Sequence, residues 1–218
     1  MRFVALETST PWCSVALWRD GEIAGLERRA GTRHSELALP MLQRLLERFQ
    51  TGAEDLDDVA FGAGPGSFTG LRIACGLAQG LALPRGIPVL GVSSLEALAE
   101  ESGAGRVVAC IDARMREVYY AALQREDGHW REVISATCAA PAKLSLPPGD
   151  WIGAGNGFAV YGNLGLKKVL PEVHPTAVAV ARLAAPRLAA GEGVDAALAA
   201  PVYVRDKVAF TKAELGRR

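Results

Sequence analysis

The sequence has no long hydrophobic run and no excess of charge of either sign. Its longest stretch without a charged side chain, residues 151–166, contains five glycines. It is shorter than the roughly 20 apolar residues of a membrane-spanning helix. Lysine plus arginine equals aspartate plus glutamate, 24 of each, whereas a protein that binds nucleic acid by itself usually carries a basic face. The apolar start meets Glu7 too soon for a signal peptide. We therefore expect a cytoplasmic protein without a membrane segment.

Paired cysteines, paired histidines and hydrolase motifs are also missing. The four cysteines include no Cys-x-x-Cys pair, and the three histidines show no His-x-x-x-His spacing. These gaps argue against a zinc site or a disulfide framework. No Gly-x-Ser-x-Gly motif indicates a serine hydrolase. The cysteines are therefore expected to be small buried hydrophobes in a reducing compartment.

The chain repeats itself after about a hundred residues. Each copy opens with an apolar run that ends in an acid, Glu7 in the first copy and Asp112 in the second, and each continues to an Asp-Gly turn. Further on, the loop at residues 62–66 (Gly-Ala-Gly-Pro-Gly) has a near copy at residues 153–157 (Gly-Ala-Gly-Asn-Gly). Three features in the same order predict two similar α/β lobes. The second lobe is trimmed, because the helix predicted over residues 34–50 has no counterpart of similar length there.

The two lobes are predicted to divide near residues 101–105. Residues 1–102 would form an N-terminal α/β lobe that carries the partner-binding helices. Residues 103–218 would form a smaller C-terminal α/β lobe. In the first lobe, a strand, the glycine loop, a helix over residues 68–83 and a further strand make a crossover that packs a helix on a partly parallel sheet.

The helix predicted over residues 68–82 contains a single charged residue. A helix that is apolar all round is normally buried all round, and a lobe of about 100 residues is too small to cover both sides of it. Its outer side is therefore expected to meet another chain. The alternative is that the preceding helix, predicted to be capped by Ser35, simply lies across it. The residues expected at the interface are Leu37, Met41, Arg44, Leu45, Arg48, Arg72, Cys75, Gly76 and Gln79.

The stretch GPGSFTGLR, residues 64–72, allows two interpretations. Ser67 or Thr69 could cap the helix while its free N–H groups receive a phosphate. However, the stretch matches neither a P-loop nor a dinucleotide fingerprint, and no lysine follows it. A tight strand-to-helix turn explains its glycines equally well.

Two acids suggest a nucleotide cleft between the lobes. Glu7 and Asp112 occupy matching places in the repeat, and Thr8 and Ser9 could add hydroxyl groups. The turns after both acids lack a glycine that would let phosphates approach the backbone. We therefore interpret the cleft as vestigial. An ATP-dependent kinase or hydrolase remains the rival reading, and a metallopeptidase would require a bound metal.

Four stretches resemble the TsaB (YeaZ) family of bacterial tRNA threonylcarbamoyladenosine biosynthesis subunits. They are ALETST, RHSELALPMLQRLL, GAGPGSFTGLRIACGLAQGLA and IPVLGVSSLEALA. The resemblance is specific over residues 3–100 and continues more weakly through CIDARMREVYYA and WIGAGNG to about Arg205. It implies the actin/Hsp70/sugar-kinase-like (ASKHA) fold, in agreement with the two-lobe repeat.

The resemblance also implies partners. TsaD, the metal-bearing paralogue, transfers a threonylcarbamoyl group from threonylcarbamoyl-adenylate to N6 of adenosine 37 in tRNAs that read codons beginning with A. The ATPase TsaE docks on the pair, and tRNA is reached through the complex. The partner surface would be the outer side of the first two helices, with GPGSFTGLR seating the second helix against its sheet. Without TsaD the chain could pair with a second copy of itself.

The same resemblance implies a subunit without catalytic residues. TsaD carries His-x-x-x-His where this chain has Ser94-Leu95-Glu96-Ala97-Leu98. A serine and a leucine cannot replace two imidazoles on a metal, since leucine offers no ligand atom. No metal and no cofactor of its own are expected. ATP or ADP at the interface of the complex is left open.

Overall fold

The computed structural model describes residues 1–205, which form two five-stranded sheets with the same strand order. The strands of the first sheet are Arg2–Glu7 (β1), Trp12–Arg19 (β2), Glu22–Arg29 (β3), Asp58–Gly64 (β4) and Val89–Ser93 (β5). Those of the second are Arg106–Asp112 (β6), Val118–Glu126 (β7), His129–Ala139 (β8), Ile152–Ala154 (β9) and Lys168–Leu170 (β10). The orders are β3-β2-β1-β4-β5 and β8-β7-β6-β9-β10. In each sheet the first three strands pair antiparallel and the last two join in parallel.

Five helices connect the strands: His34–Arg48 (α1), Phe68–Ala82 (α2), Ser94–Ser102 (α3), Asn156–Tyr161 (α4) and Ala177–Ala189 (α5). The counterpart of α1 is missing from the second lobe, where a 3-10 turn at Pro141–Lys143 separates β8 from β9. The helix after the second glycine loop has six residues, against 15 in the first. This confirms the predicted ASKHA-like α/β fold of two similar lobes, the second one trimmed.

The central strands bury both faces, and alternate side chains face different helices. In β1, Val4 and Leu6 pack in the core beneath α1 and α2, whereas Phe3 and Ala5 pack against α5. In the second sheet, one face of β6 packs against α3 and the other against α4. The helices α3 and α5 therefore lie between the two sheets, in contact with each other.

The C-terminal part of the chain returns to the first lobe. Helix α5 packs on the first sheet, and Val194 forms a β-bridge with Val89 at its edge. The change of sheet falls after α3, and α5 covers the apolar face of the first sheet while α3 packs on the second. The division of the chain into two lobes after residue 102 stays a prediction.

The predicted caps have mixed outcomes. Ser67 caps α2, because its Oγ accepts from the N–H of Gly70 at 3.3 Å. Ser93 caps α3. The prediction of Ser35 as the first cap is wrong, since α1 already begins at His34. The His34 Nε2 lies 2.8 Å from the carbonyl oxygen of Thr10, and this contact places the histidine in the first helical turn.

The cysteines are free, as expected, and three of the four are buried. Burial raises the pKa of Cys110 to about 12 and that of Cys13 to about 11. Across residues 1–205, no three His, Cys, Asp or Glu side chains gather as they would to hold a metal ion. Over the same residues, no helix has the length and apolar character to cross a membrane.

Candidate functional site

The first glycine stretch is closed by the turn between β1 and β2. A Cβ atom at Gly70 would overlap the carbonyl oxygen of Thr8, and one at Gly66 would overlap Ser9. The Thr8 Oγ1 donates to the Gly70 carbonyl at 2.7 Å, and the Ser67 N–H donates to the Ser9 carbonyl at 2.7 Å. The glycines thus let α2 begin in direct contact with this turn, as the interpretation of the stretch as a tight strand-to-helix turn predicted.

Glu7 ends β1 and is 1% exposed. Its carboxylate accepts from the Ser9 N–H at 2.6 Å and from the Ser94 Oγ at 2.9 Å. Burial raises the pKa of Glu7, whereas the hydrogen bonds from Ser9 and Ser94 oppose that rise. A Cβ at Gly62 would overlap the carboxylate. Glu7 is therefore an internal anchor that joins β1, β4 and α3.

A cleft of about 390 Å³ lies between the two lobes. Ser9 and Asp112 line it, but Glu7 and Thr8 do not, so the expectation that all four share one cleft is wrong for those two. These two side chains point away from the cleft, because that of Glu7 extends into the core towards Ser94 and that of Thr8 towards the backbone of α2. Because Glu7 is turned away, Asp112 is the only one of the two repeat acids that faces this cleft among the described residues.

A C-terminal segment crosses the mouth of this cleft. We define residues 195–205 as the strap. The Val202 N–H donates to the Ala63 carbonyl at 2.7 Å, and the Arg205 guanidinium donates to the Ala113 carbonyl at 2.9 Å. The strap was not predicted from the sequence, because this segment has no periodic pattern. The one signal was an apolar run, residues 196–204, that Pro201 prevents from being a long helix.

The strap also covers part of α2. The Cys75 thiol donates to the Ala199 carbonyl at 3.4 Å, and the Gln79 amide donates to the carbonyls of Ala196 and Ala199 at 3.2 and 3.1 Å. Cys75 is 5% exposed as a result. The expectation that Cys75 faces a foreign chain is therefore wrong, and Gln79 is half-buried.

The other predicted interface residues divide by exposure. Arg44, Arg48, Arg72 and Gly76 are exposed and Leu37 is half-buried. Met41 and Leu45 are buried in the core between α1 and the first sheet, which corrects their placement on the outer surface. The apolar stripe of α1 is wide enough to include both residues, so both face the first sheet.

An open stripe remains on α2. Gly76 and Gly80 are exposed one turn apart, and no atom lies within 4 Å of the Cβ position of either. At the start of the helix, the Arg72 guanidinium lies 3.8 Å from the centre of the Phe68 ring, and its Nε donates to the Tyr203 hydroxyl at 3.1 Å. Exposed large hydrophobic side chains occur on α1, at both ends of α2 and on the strap: Leu39, Phe68, Leu83, Leu198, Val202 and Tyr203.

The two positions at which the family resemblance implies histidines in TsaD, Ser94 and Leu98, lie in the core. Ser94 is fully buried and donates to Glu7, and Leu98 is fully buried against the second sheet. Neither position presents a side chain that could ligate a metal in a cleft.

Comparison with known proteins agrees with this architecture. The family model described as TsaD, tRNA N6-adenosine threonylcarbamoyltransferase, matches residues 28–211. The "tRNA threonylcarbamoyladenosine biosynthesis protein TsaB" of Escherichia coli K12 is 38% identical over 97% of this chain and 98% of its own. The protein of the same name from Haemophilus influenzae is 35% identical over 97% of both chains. A solved structure, YeaZ from Pseudomonas aeruginosa, superimposes with a TM-score of 0.88 at 40% identity, covering 93% of this chain and 99% of that one. The chain therefore belongs to the TsaB (YeaZ) family.

Proposed function

We propose that this protein is a non-catalytic subunit of tRNA threonylcarbamoyladenosine biosynthesis that binds and supports TsaD. Its relatives are named for this pathway, and the family model that matches the chain is that of the transferase itself. The observation that carries the proposal is the open stripe of α2, where Gly76 and Gly80 leave room for a foreign backbone. Small residues one turn apart allow two helices to approach closely.

The surroundings of the stripe support an interface. Its aromatic and arginine side chains, Phe68, Arg72 and Tyr203, are of the types that dominate binding energy in protein interfaces. Arg44 and Arg48 on α1 are exposed and supply a charged rim. A stable pair would bury about 1,200–2,000 Å² in total. The outer faces of α1 and α2, together with the strap, form the surface that we assign to TsaD.

The chemistry of the site favours a subunit that supports TsaD over a catalytic subunit. Ser94 and Leu98 stand where TsaD carries its histidines, and Glu7 is engaged by Ser9 and Ser94 inside the core. In this proposal TsaE docks on the TsaD pair, tRNA is reached through the complex in the cytoplasm, and any ATP or ADP binds at the complex interface. Without TsaD, a second copy of the chain would use the same surface. The rival reading, an ATP-dependent kinase or hydrolase, gains no contact in the cleft that favours it.

The test is the substitution Gly76→Glu. The position is open, so the variant should fold, but in the complex the longer charged side chain would occupy the space that Gly76 leaves for a foreign backbone. We expect co-purification with TsaD to be lost and affinity to fall at least about 100-fold, since excluding that backbone and dehydrating the charge cost several kcal/mol. Isothermal titration against purified TsaD measures the loss.

Gly105→Glu is the matched control, because Gly105 is exposed and equally free of neighbours but lies in the connection between the lobes. It should bind TsaD like the unmodified chain. Circular dichroism must show both variants to be folded. Undiminished binding by a folded Gly76→Glu variant would refute the assignment of the surface.

A further inference from the structure

The two lobes are tied across the mouth of the cleft by the end of the strap. On the first lobe, Val194 exchanges two hydrogen bonds of 2.9 Å with Val89, and Val202 bonds to Ala63. The strap then crosses the cleft. Its last described residue, Arg205, makes its hydrogen bonds to the second lobe.

Arg205 forms charge-assisted hydrogen bonds, which are stronger than those between neutral groups. Its Nη2 donates to the Glu117 carboxylate at 2.7 Å and to the Ala113 carbonyl at 2.9 Å. The guanidinium also lies 5.5 Å from the centre of the Tyr119 ring. The side chain is 13% exposed, and that of Glu117 is 24% exposed. Charge-assisted bonds in such a partly dehydrated place are stronger than the same pair on the surface.

Arg205 forms hydrogen bonds with both ends of a strained turn. Arg114, Met115 and Arg116 have φ values of 61°, 52° and 59°, a left-handed conformation that residues with a Cβ adopt at a cost. The turn is closed by two backbone hydrogen bonds of 2.9 Å, from the Ala113 N–H to the Glu117 carbonyl and from the Glu117 N–H to the Arg114 carbonyl. Because Arg205 bonds to the carbonyl of the first closing residue and the carboxylate of the second, it holds the turn from outside.

We propose that the strap is an interlobe latch, in which Arg205 fixes the left-handed turn of the second lobe to the first lobe and so sets the opening of the cleft. In many two-lobed proteins a ligand bridges the lobes and closes them. Here a covalently attached arginine makes that bridge. The inference concerns the conformation of this chain alone, and it would stand or fall independently of TsaD binding.

The experiment measures the distance between the lobes directly. Spin labels are placed on cysteines introduced at Gln43 on α1 and Val160 on α4, both exposed on helices of different lobes. Cys138→Ser removes the one native cysteine that is not buried, and its hydroxyl keeps a donor for the Glu117 carboxylate, which the thiol contacts at 3.7 Å. Pulsed electron–electron resonance should give one narrow distance distribution for the latched chain. In Arg205→Ala the distribution should become about twofold wider and shift, because the lobes are freed to hinge.

Two further variants separate a latch from a local brace. Glu117→Gln keeps the Ala113 contact and should give a smaller widening, which also provides a readout if Arg205→Ala fails to fold. Arg187→Ala removes an arginine ion pair of 2.8 Å with Glu192, remote from the cleft, and should change nothing. Neither labelled helix belongs to the strained turn, so local loosening of the turn would not move the labels. An unchanged distribution in folded Arg205→Ala and Glu117→Gln would overturn the proposal.

Discussion

The two lobes share a backbone plan but use it differently. Gly64, the last residue of β4, and Gly155, the residue after β9, have nearly the same φ, 111° and 114°. However, α2 begins four residues after Gly64, whereas α4 begins directly after Gly155. Yet the first loop leads into a helix of 15 residues and the second into one of six.

A second pair of equivalent glycines, Gly62 in β4 and Gly153 in β9, shows how the surrounding side chains differ between the lobes. A Cβ at Gly62 would meet the carboxylate of Glu7, whereas a Cβ at Gly153 would meet the ring of Phe158. The first lobe thus places a hydrogen-bonded acid where the second places an aromatic ring. In neither lobe is this space left free for a phosphate. The repeat therefore preserves the glycine conformation at this point, whereas the side chains packed around the glycines differ between the lobes.

The largest expected effect comes from Gly70, the residue that seats α2 in the first lobe. In Gly70→Ala the new methyl group would collide with the backbone carbonyl of Thr8, which cannot rotate away. We expect a loss of at least about 3 kcal/mol in the free energy of unfolding, since overpacking against backbone outweighs the better helix propensity of alanine. Urea denaturation followed by circular dichroism measures it.

Gly76→Ala is the control on the same helix. Nothing lies near its Cβ position, so alanine should stabilise the chain by about 0.5–1 kcal/mol through helix propensity. Equal effects of the two substitutions would show that α2 is not seated by a close approach at Gly70.

The next effect concerns Glu7, the acid that the first lobe has buried. Because burial raises its pKa, the folded state holds the proton more tightly than the unfolded state. Stability from this group is then present below the unfolded value near 4.5 and declines as pH rises towards the folded value. Glu7→Gln keeps the acceptor for Ser9 and offers a donor to Ser94. We expect it to raise the free energy of unfolding at pH 8 by about 1 kcal/mol and to flatten its pH dependence.

Glu7→Ala separates charge from hydrogen bonding. It leaves the Ser9 N–H without an acceptor and opens a cavity, so a loss of about 2–4 kcal/mol is expected at all pH values. Denaturation curves collected between pH 5 and 8 for the three proteins test both statements. A glutamine variant less stable than the parent at pH 8 would contradict the account of Glu7.

Much of the fold could be predicted because short sequence motifs mark equivalent points of the repeat. The Asp-Gly pairs at Asp20 and Asp127 form the tight turns of both hairpins, with positive φ at both residues of each turn. The acids at the ends of β1 and β6 and the glycine loops after β4 and β9 mark equivalent points. Such features depend on neighbouring residues, which a sequence displays directly.

The candidate surface was less predictable because it depends on contacts between distant residues. Cys75 and Gln79 looked available on a nearly uncharged helix, but the strap, more than 115 residues away in sequence, bonds to both. The direction of Glu7 is likewise decided by Ser94, 87 residues along the chain. Helical periodicity gives the width of an apolar stripe, but it cannot say which part of that stripe the chain itself will cover.

The smallest expected effect is at Asp112, the acid of the second lobe. Its carboxylate accepts from the Arg114 N–H at 3.1 Å and the Tyr161 hydroxyl at 3.4 Å, at the edge of the cleft. The amide of Asp112→Asn keeps an acceptor for these donors and loses only the 3.5 Å ion pair with the largely exposed Arg114. Since exposed ion pairs contribute little, the free energy of unfolding should fall by less than about 1 kcal/mol in the same urea assay. A loss as large as that of Glu7→Ala would mean that both lobes depend on their acids alike, and the contrast drawn between them would fail.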